Sequence, residues 1–443
     1  MTTSTRSPIG ALPLIDRAHG CYLYDTHGRD YLDGSSGVLN VNIGHAHPAV
    51  IAAMRAQLDR VAFVHRTQFD NRPAQDLTTR LLQVAPTNTT AVEFSNSGSE
   101  ANETALRLVY AYHHRRNAPE RTVILSEEPS YHGMTAGALA ITGMPGKRDP
   151  STGPLLSHPD RILVQPRNGT LRAQRSDWAE AIESVGASRI AAIFVEPLGG
   201  ASSGAAPIGA DTLQWLRRET EDEGILLVAD EVMSGFGRTG HWWATEHSAI
   251  APDITTSGKG ITGGYTSLAV TFVNDRVQDG IGEPVGPVVL GHTMSANPLA
   301  CAAAGAVLDV LTDENLPAAA RARGDDLAAA LTRITHRHDD LVSGHTGRGL
   351  MRGLHLLHDA PAGTNRQIVS AARAHGLILC AAGISPHTQA ILIAPPLTVD
   401  RADIDMLETR LEATLQAVPR HASLANRPSR SGDRRRRDLT TTP

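Results

Sequence analysis

The sequence predicts an α/β fold, a large domain on a mostly parallel central sheet with a smaller α+β domain beside it. Three observations lead there. Near-continuous apolar runs such as "RIAAIFVEP" and "GILLVADEV" alternate with helical patterns, the mark of strands buried on both faces and joined by crossover helices. At 443 residues the chain exceeds one ordinary core, so two domains are expected. Hydrophobic content of 41%, charged content of 20% and 40 glycines fit a globular chain, not a fibre or a disordered one.

In chain order, "CYLYDTHGRDYLDG" reads as a hairpin turning at His27-Gly28. "PAVIAAMRAQLDRV" has helical spacing, with Pro48 in the first turn where its missing N–H is no loss. "AVEF" (91–94) precedes the helix "EANETALRLVYAYHHRR", and "TVIL" (122–125), the two long runs and "SLAVTFV" (267–273) complete a set expected to be parallel. Ligands of such sheets gather at the carboxyl ends of the strands, where Ser95 to Ser99, Glu196, Asp230 and Glu231 fall. Asn297-Pro298 then caps a long Ala-rich helix, "NPLACAAAGAVLDVLTD". Beyond about residue 320 a helix, the strand "GLMRGLHLL", the helix "NRQIVSAARAHG", a strand pair and the helix "DRADIDMLETRLEATLQAV" read as the smaller domain.

A net charge of −5 gives no reason to expect a nucleic-acid partner. No run approaches the length of a membrane span, and the N-terminal residues lack the apolar core of a signal peptide, so no membrane partner and a cytoplasmic location are expected. Cys21, Cys301 and Cys380 form no CxxC pair, which argues for a reducing compartment and against a zinc site. From Arg420 the chain turns polar, Arg-rich and aperiodic and reads as a disordered extension.

Of 41 basic residues only Lys147 and Lys259 are lysines. Arginine can replace lysine wherever charge alone is needed, but not where an amine must lose its proton and attack. Lys259 lies between glycines in "SGKGITGGY". The loop "SNSGSEANE" opens a helix; Ser97-Gly98-Ser99 reads either as an N-cap or as an anion site at the helix N-terminus. "LLVADEVMSGFGRTG" ends a buried strand with two carboxylates that face opposite sides, Asp230 and Glu231, suited to a cationic ring nitrogen or to an ordinary salt bridge. The same segment contains Gly235-Phe236-Gly237-Arg238-Thr239-Gly240, a GxGxxG without the βαβ setting or the acidic residue of a dinucleotide site. A P-loop fails as well, because Asp253 stands where its first glycine belongs and a glycine follows Lys259. His45, His47 and His65 lie in turn-like context and read as structural, so no metal is expected. A phosphate-type loop, a strand-end carboxylate and a lysine among glycines together answer the needs of pyridoxal 5'-phosphate: an anchor, a ring-nitrogen partner and an imine-forming amine.

The motifs "YLDGSSGVLNVNIGHAHP", "FSNSGSEANETA", "SYHGMTAGALAITG", "VEPLGGASSG", "ILLVADEVMSGFGRTG", "PDITTSGKGITGGY", "GHTMSANPLACAAA" and "IAPPLTVDRADID", in this order, resemble those of class III pyridoxal-phosphate aminotransferases, ω-amino acid type, subgroup II. The resemblance spans about residues 15 to 415 and implies fold type I. It implies an N-terminal segment of the small domain (1–50), a large cofactor-binding domain (51–310), a C-terminal small domain (311–419) and a tail (420–443). It makes Lys259 the Schiff-base lysine and proton carrier and Asp230 the ring-nitrogen partner, with Val232 on one ring face and Tyr131, beside His132 in "SYHG", on the other. Ser97, Gly98 and Ser99 match the phosphate loop, and Thr293 the threonine that reaches the neighbouring subunit's phosphate, which implies a homodimer with active sites at the subunit interface. Glu196 and Phe69 match positions near the substrate pocket.

Relatives carry a substrate-carboxylate arginine where this chain reads Leu379-Cys380-Ala381 or Ile391-Leu392-Ile393, and another family arginine, in "RGxGL", appears here as Thr346-Gly347-Arg348-Gly349-Leu350. Bidentate arginine is the usual holder of a carboxylate. The expectation is therefore ping-pong transamination between small-molecule amine and carbonyl substrates, one of them lacking the usual carboxylate, such as a ketone on a modified peptide or a sugar. Arg66 and Arg238 are the candidate replacements for the missing arginine. An aminomutase or decarboxylase of the same fold, and a silent cofactor-binding or interaction protein, are the alternatives.

Overall fold

The structure, a computed structural model, describes residues 12–153, 160–167, 169–282, 291–384 and 388–419. The Arg-rich tail lies outside the described residues. The first strands, β1 (Ile15–His19), β2 (Tyr22–Asp25) and β3 (Asp30–Asp33), form an antiparallel meander that turns at the predicted His27-Gly28. Seven strands then build the central sheet: β4 (Thr89–Ser95), β5 (Val123–Glu127), β6 (Arg161–Val164), β7 (Ile190–Val195), β8 (Leu226–Asp230), β9 (Ile254–Ser257) and β10 (Ala269–Asn274), in the order β4-β10-β9-β8-β7-β5-β6. The last strands are β11 (Val342–Arg348), β12 (Met351–Leu356), β13 (Leu377–Ile378), β14 (Cys380–Ala382) and β15 (Ala390–Ile393). Four of these make the antiparallel sheet β11-β12-β15-β14, and β13 runs parallel to β3, so the two ends of the chain share one sheet.

Strands β6, β5, β7, β8 and β9 are parallel, as the apolar runs predict. Successive side chains in them serve opposite faces. Ile124, Phe194 and Val228 pack under the helix Gly98–Arg115 with Ala105 and Val109, while Leu125, Val195 and Leu227 pack on the other face with Trp178 and Leu216 of two further helices. The run "SLAVTFV" departs from expectation: β10 is antiparallel to both β4 and β9. Its apolar residues are buried on both faces just as in a parallel strand, so the pattern could not reveal direction. The two reversals restore the direction of β4, which puts Ser97, Asp230 and Lys259 at one edge of the sheet.

The Ala-rich helix Pro298–Asp313 has Asn297 as N-cap, its side-chain oxygen accepting from the Ala300 amide at 2.9 Å, and Pro298 in the first turn. Among the described residues no helix is long and apolar enough to cross a membrane.

Candidate active site

Lys259 stands just past the end of β9 with φ +43, in a short 3-10 turn spanning Lys259–Ile261. Such a backbone strains a non-glycine residue and persists where surrounding structure over-determines it. Close packing of the loop does so here: a Cβ on Gly260 would lie 2.2 Å from Asn42 Nδ2. The half-buried amine donates to the Val38 carbonyl at 3.2 Å. Burial pulls its pKa below the ordinary lysine value against the opposing pull of Asp230, Cys380 and Glu196.

Asp230 is 5% exposed and triply bonded. Oδ2 accepts from Asn102 Nδ2 at 2.8 Å and from His132 Nδ1 at 2.9 Å, and Oδ1 accepts from the Val232 amide at 3.0 Å. A carboxylate has about four acceptor sites, so one direction on Oδ1 is left for a cationic ring nitrogen. Asn102 is itself oriented, because its Oδ1 accepts from Thr256 Oγ1 at 2.9 Å and its amide also reaches the His132 carbonyl at 2.7 Å. The next residue, Glu231, points the other way and is consumed by Ser234, Ala244 and Thr245. The two adjacent carboxylates thus serve different purposes, as strand alternation predicts.

At the N-terminus of the helix Gly98–Arg115, Ser97 is the N-cap and its Oγ accepts from the Glu100 amide at 3.2 Å. Capping does not compete with anion binding. The first-turn amides of Gly98 and Ser99 have no intrahelical acceptor and point outward with the positive end of the helix dipole. A Cβ on Gly98 would lie 2.8 Å from Val232 Cγ1, so this turn sits directly against the residue predicted to face a ring. Ser95 Oγ and Asn96 Oδ1, just before the turn, are buried without partners among the described residues. The Gly98 and Ser99 amides and the Ser95 hydroxyl are donors that fit a phosphate, and the Asp230 carboxylate is an acceptor that fits a cationic ring nitrogen. Ser99 Oγ accepts from the Met134 amide at 3.1 Å. Thr293 is exposed, next to His292, whose Nε2 is 3.2 Å from Glu100 Oε2.

Glu196 follows β7 and is buried, its carboxylate accepting from the Tyr131 amide, the Gly200 amide and Ser202 Oγ, each at 3.0 Å. Burial pushes its pKa up. It fixes the backbone of Tyr131 from beneath. Tyr131 is half-buried, and burial, then the Asp230 charge, raises its phenol pKa. Phe69 is 63% exposed, its amide donating to the His65 carbonyl. The candidate replacement arginines lie elsewhere. Arg238 is fully buried and bonds to the Leu350 and Pro395 carbonyls, Ser36 Oγ and Asn42 Oδ1. Burial pulls its pKa down to about 9. Arg66 is exposed, and its charge acts on Glu93 and Cys301. Of the histidines, His45 pairs with Asp33 at 3.0 Å and His47 with Glu314 at 3.6 Å.

Three parts of the site escape sequence reasoning. Asn102 reads as an ordinary polar helix residue. Cys380 acts electrostatically on Lys259 from a sheet more than a hundred residues on in the chain, packed with Met233 against Leu39 and Leu392. Ser36, Gly37, Val38 and Leu39 form a left-handed turn, with φ of +49, +53, +65 and +61, that carries the Val38 carbonyl to the lysine. Only Gly37 hints at it.

Comparison with known proteins follows the same lines. The class-III aminotransferase family model matches residues 6–415. An uncharacterized aminotransferase of Bacillus subtilis is 33% identical over 429 residues, 93% of this chain and 96% of that protein. An acetylornithine aminotransferase of Synechocystis is 35% identical, covering 91% of this chain and 88% of its own. Among solved structures, a transaminase from the marine bacterium Virgibacillus superposes with a TM-score of 0.88 at 29% identity, over 94% of this chain and 96% of that one. A PLP-bound amine transaminase from an uncultivated Pseudomonas species gives 0.86 at 32% identity, over 95% of this chain and 100% of that one.

Proposed function

Since the chain belongs to the class-III aminotransferases and is a pyridoxal-phosphate-dependent transaminase of fold type I, we propose that it works by ping-pong transfer between an amine donor and a carbonyl acceptor, one of which has no carboxylate at the usual place. The observation that carries this reading is that the positions where relatives carry the carboxylate-binding arginine hold apolar side chains here. Leu379, Leu392 and Ile393 are buried and apolar, and Arg238 is spent on four oxygens of the fold.

Pyridoxal phosphate supplies an aldehyde for amines to condense with and a ring that accepts the electrons of the substrate's Cα–H bond. The chain's residues supply the rest. Lys259, its pKa lowered by burial, keeps a larger neutral fraction for attack and carries the proton away from Cα. Asp230 offers its remaining lone pair to the ring nitrogen, and Asn102 and His132 keep it from turning. Gly98 and Ser99, capped by Ser97, would hold the phosphate, and Val232 and Tyr131 would pack against the ring. Glu196 supports Tyr131 and lies beside the substrate position, and Phe69 borders the approach.

The division at about residues 50, 310 and 419 belongs to the same reading. So does a homodimer: Val38, Phe63, Phe69, Met134 and Met294 are exposed apolar residues, and the exposed Thr293 is then free to serve a partner's phosphate. Free thiols fit the cytoplasm. A donor panel tests the substrate claim. Simple amines are expected to exceed ω-amino acids of equal length by about tenfold or more in kcat/KM, the loss of one charge-assisted contact. Equal or better use of the ω-amino acids sinks it. Release of carbon dioxide, or an isomer formed without a co-substrate, returns the decarboxylase or aminomutase reading.

A further inference from the structure

Arg348 does not act on Lys259, yet it is placed with care. It ends β11 beside a small crevice that it lines with Thr239, His247, Ser248, Leu198, Pro207 and Ile208. The crevice leaves about 10 Å³ for the centre of a water-sized sphere, room for one small species. Arginines gather around it, with the Asp325 carboxylate acting on one of them, Arg352. Arg321 gives its guanidinium to the Gly240 carbonyl, and Arg352 gives its own to the carbonyls of Gly347, Gly349 and Gly324. The Arg348 charge acts on both Arg352 and the His247 ring. Among the described residues the half-buried Arg348 guanidinium has neither a carboxylate partner nor a hydrogen-bond acceptor. Thr239 is 1% exposed, and its hydroxyl is buried with no partner among the described residues. No carboxylate lines the crevice. Leaving a guanidinium and a buried hydroxyl unanswered in one place costs free energy that an acceptor would recover.

We propose that this crevice binds one monatomic anion of chloride size, held by the Arg348 guanidinium and the Thr239 hydroxyl. Phosphate and carboxylate ligands exceed the room. His247 does not compete, because its Nε2 is 3.1 Å from the Thr239 carbonyl, to which it donates, and burial pulls its pKa to about 4, leaving it neutral at pH 7. The ion ties the β11 sheet to the loops that follow β7 and β8, which makes it a ligand of the folded chain with no part in the transamination chemistry.

The test exchanges gluconate for chloride at fixed ionic strength and follows thermal unfolding of the holoenzyme. A saturable rise in Tm of about 2 °C is expected, and its loss in Arg348→Gln and in Thr239→Val. Crystals of the holoenzyme soaked in bromide should show an anomalous peak between Arg348 and Thr239, a result that does not depend on how the variants fold. A rise that never saturates and persists in both variants, or bromide-soaked crystals with no peak in the crevice, overturns the proposal.

Discussion

Two glycine-rich loops follow neighbouring strands of one sheet and use glycine for different ends. Gly258–Gly264 follows β9, and its close packing brings an amine to the Val38 carbonyl. Gly235–Gly240 follows β8, and it lets two pieces of backbone meet: a Cβ on Gly349 would lie 2.5 Å from the Thr239 carbonyl carbon. In the second loop the charged residue, Arg238, is wholly inside and spent on oxygens of the fold. Asn42 joins them, accepting from Arg238 at 2.6 Å, donating to the Phe236 carbonyl at 3.2 Å and packing on Gly260. A G-x-G pattern therefore reports close approach and nothing more; the residue it carries decides whether chemistry or docking results.

The largest expected effect separates the loops by activity. Lys259→Ala should cut turnover by at least about 10³-fold, since attack and proton transfer are lost together, while the apo protein unfolds at no lower a temperature. The cofactor's visible absorption should also lose its lysine-dependent band. A variant that keeps that band, or that loses stability in step with activity, would make this loop a structural one too.

That lysine was the most legible feature of the chain. Its rarity among arginines, with Asp230 and "SNSGSE", pointed to one cofactor before any contact was known. The parallel strands were legible because burial on both faces leaves continuous apolar runs. Direction in β10 was not, since antiparallel strands buried on both faces leave the same run. Nor were Asn102, Cys380 or the turn at Ser36–Leu39, because each acts through partners far away in sequence.

Asn102 comes next in size. Asn102→Ala should lower kcat about tenfold, the worth of one hydrogen bond to a buried charge, and Asn102→Asp about 100-fold, because a second carboxylate then faces Asp230. Unfolding of the apo forms should move far less than turnover. If both variants bind pyridoxal phosphate and turn over normally, Asp230 does not depend on this contact.

The docking loop should show the reverse profile. Arg238→Met leaves the Leu350 and Pro395 carbonyls and Asn42 without their donor and should cost about 3 kcal/mol in urea unfolding. Turnover per folded enzyme should fall only severalfold, through the Ser36 turn that Arg238 also holds at 3.2 Å. A loss of 10³-fold without destabilisation would move Arg238 into the chemistry and erase the contrast.

The smallest effect is the sharpest, because pH reads the loops in separate windows. Burial pulls His247, beside the docking loop, from 6.5 to about 4. Between those values the unfolded chain binds more protons than the folded one, so stability falls as pH falls through that window. His113, His345 and His355 are pulled to about 4 as well, and Glu93, Glu196 and Glu231, pushed up by burial, oppose them, so His247→Asn should remove roughly a quarter of the histidines' share of that slope. Lys259 is also pulled down, which puts its window below 10.5 and gives the slope the same sign: stability of the apo protein rises with pH there. Arg238 and Arg352, pulled down to about 9 and about 10, act in the same sense, while Cys21 and Cys301, pushed up to about 12, oppose them, so Lys259→Met should remove only the lysine's share of the alkaline limb and leave the acid limb alone. Urea midpoints of wild type and Lys259→Met measured across both limbs check this, and a difference between them that does not change with alkaline pH would mean the amine is as well solvated in the folded protein as in the unfolded chain, leaving nothing to activate it for attack.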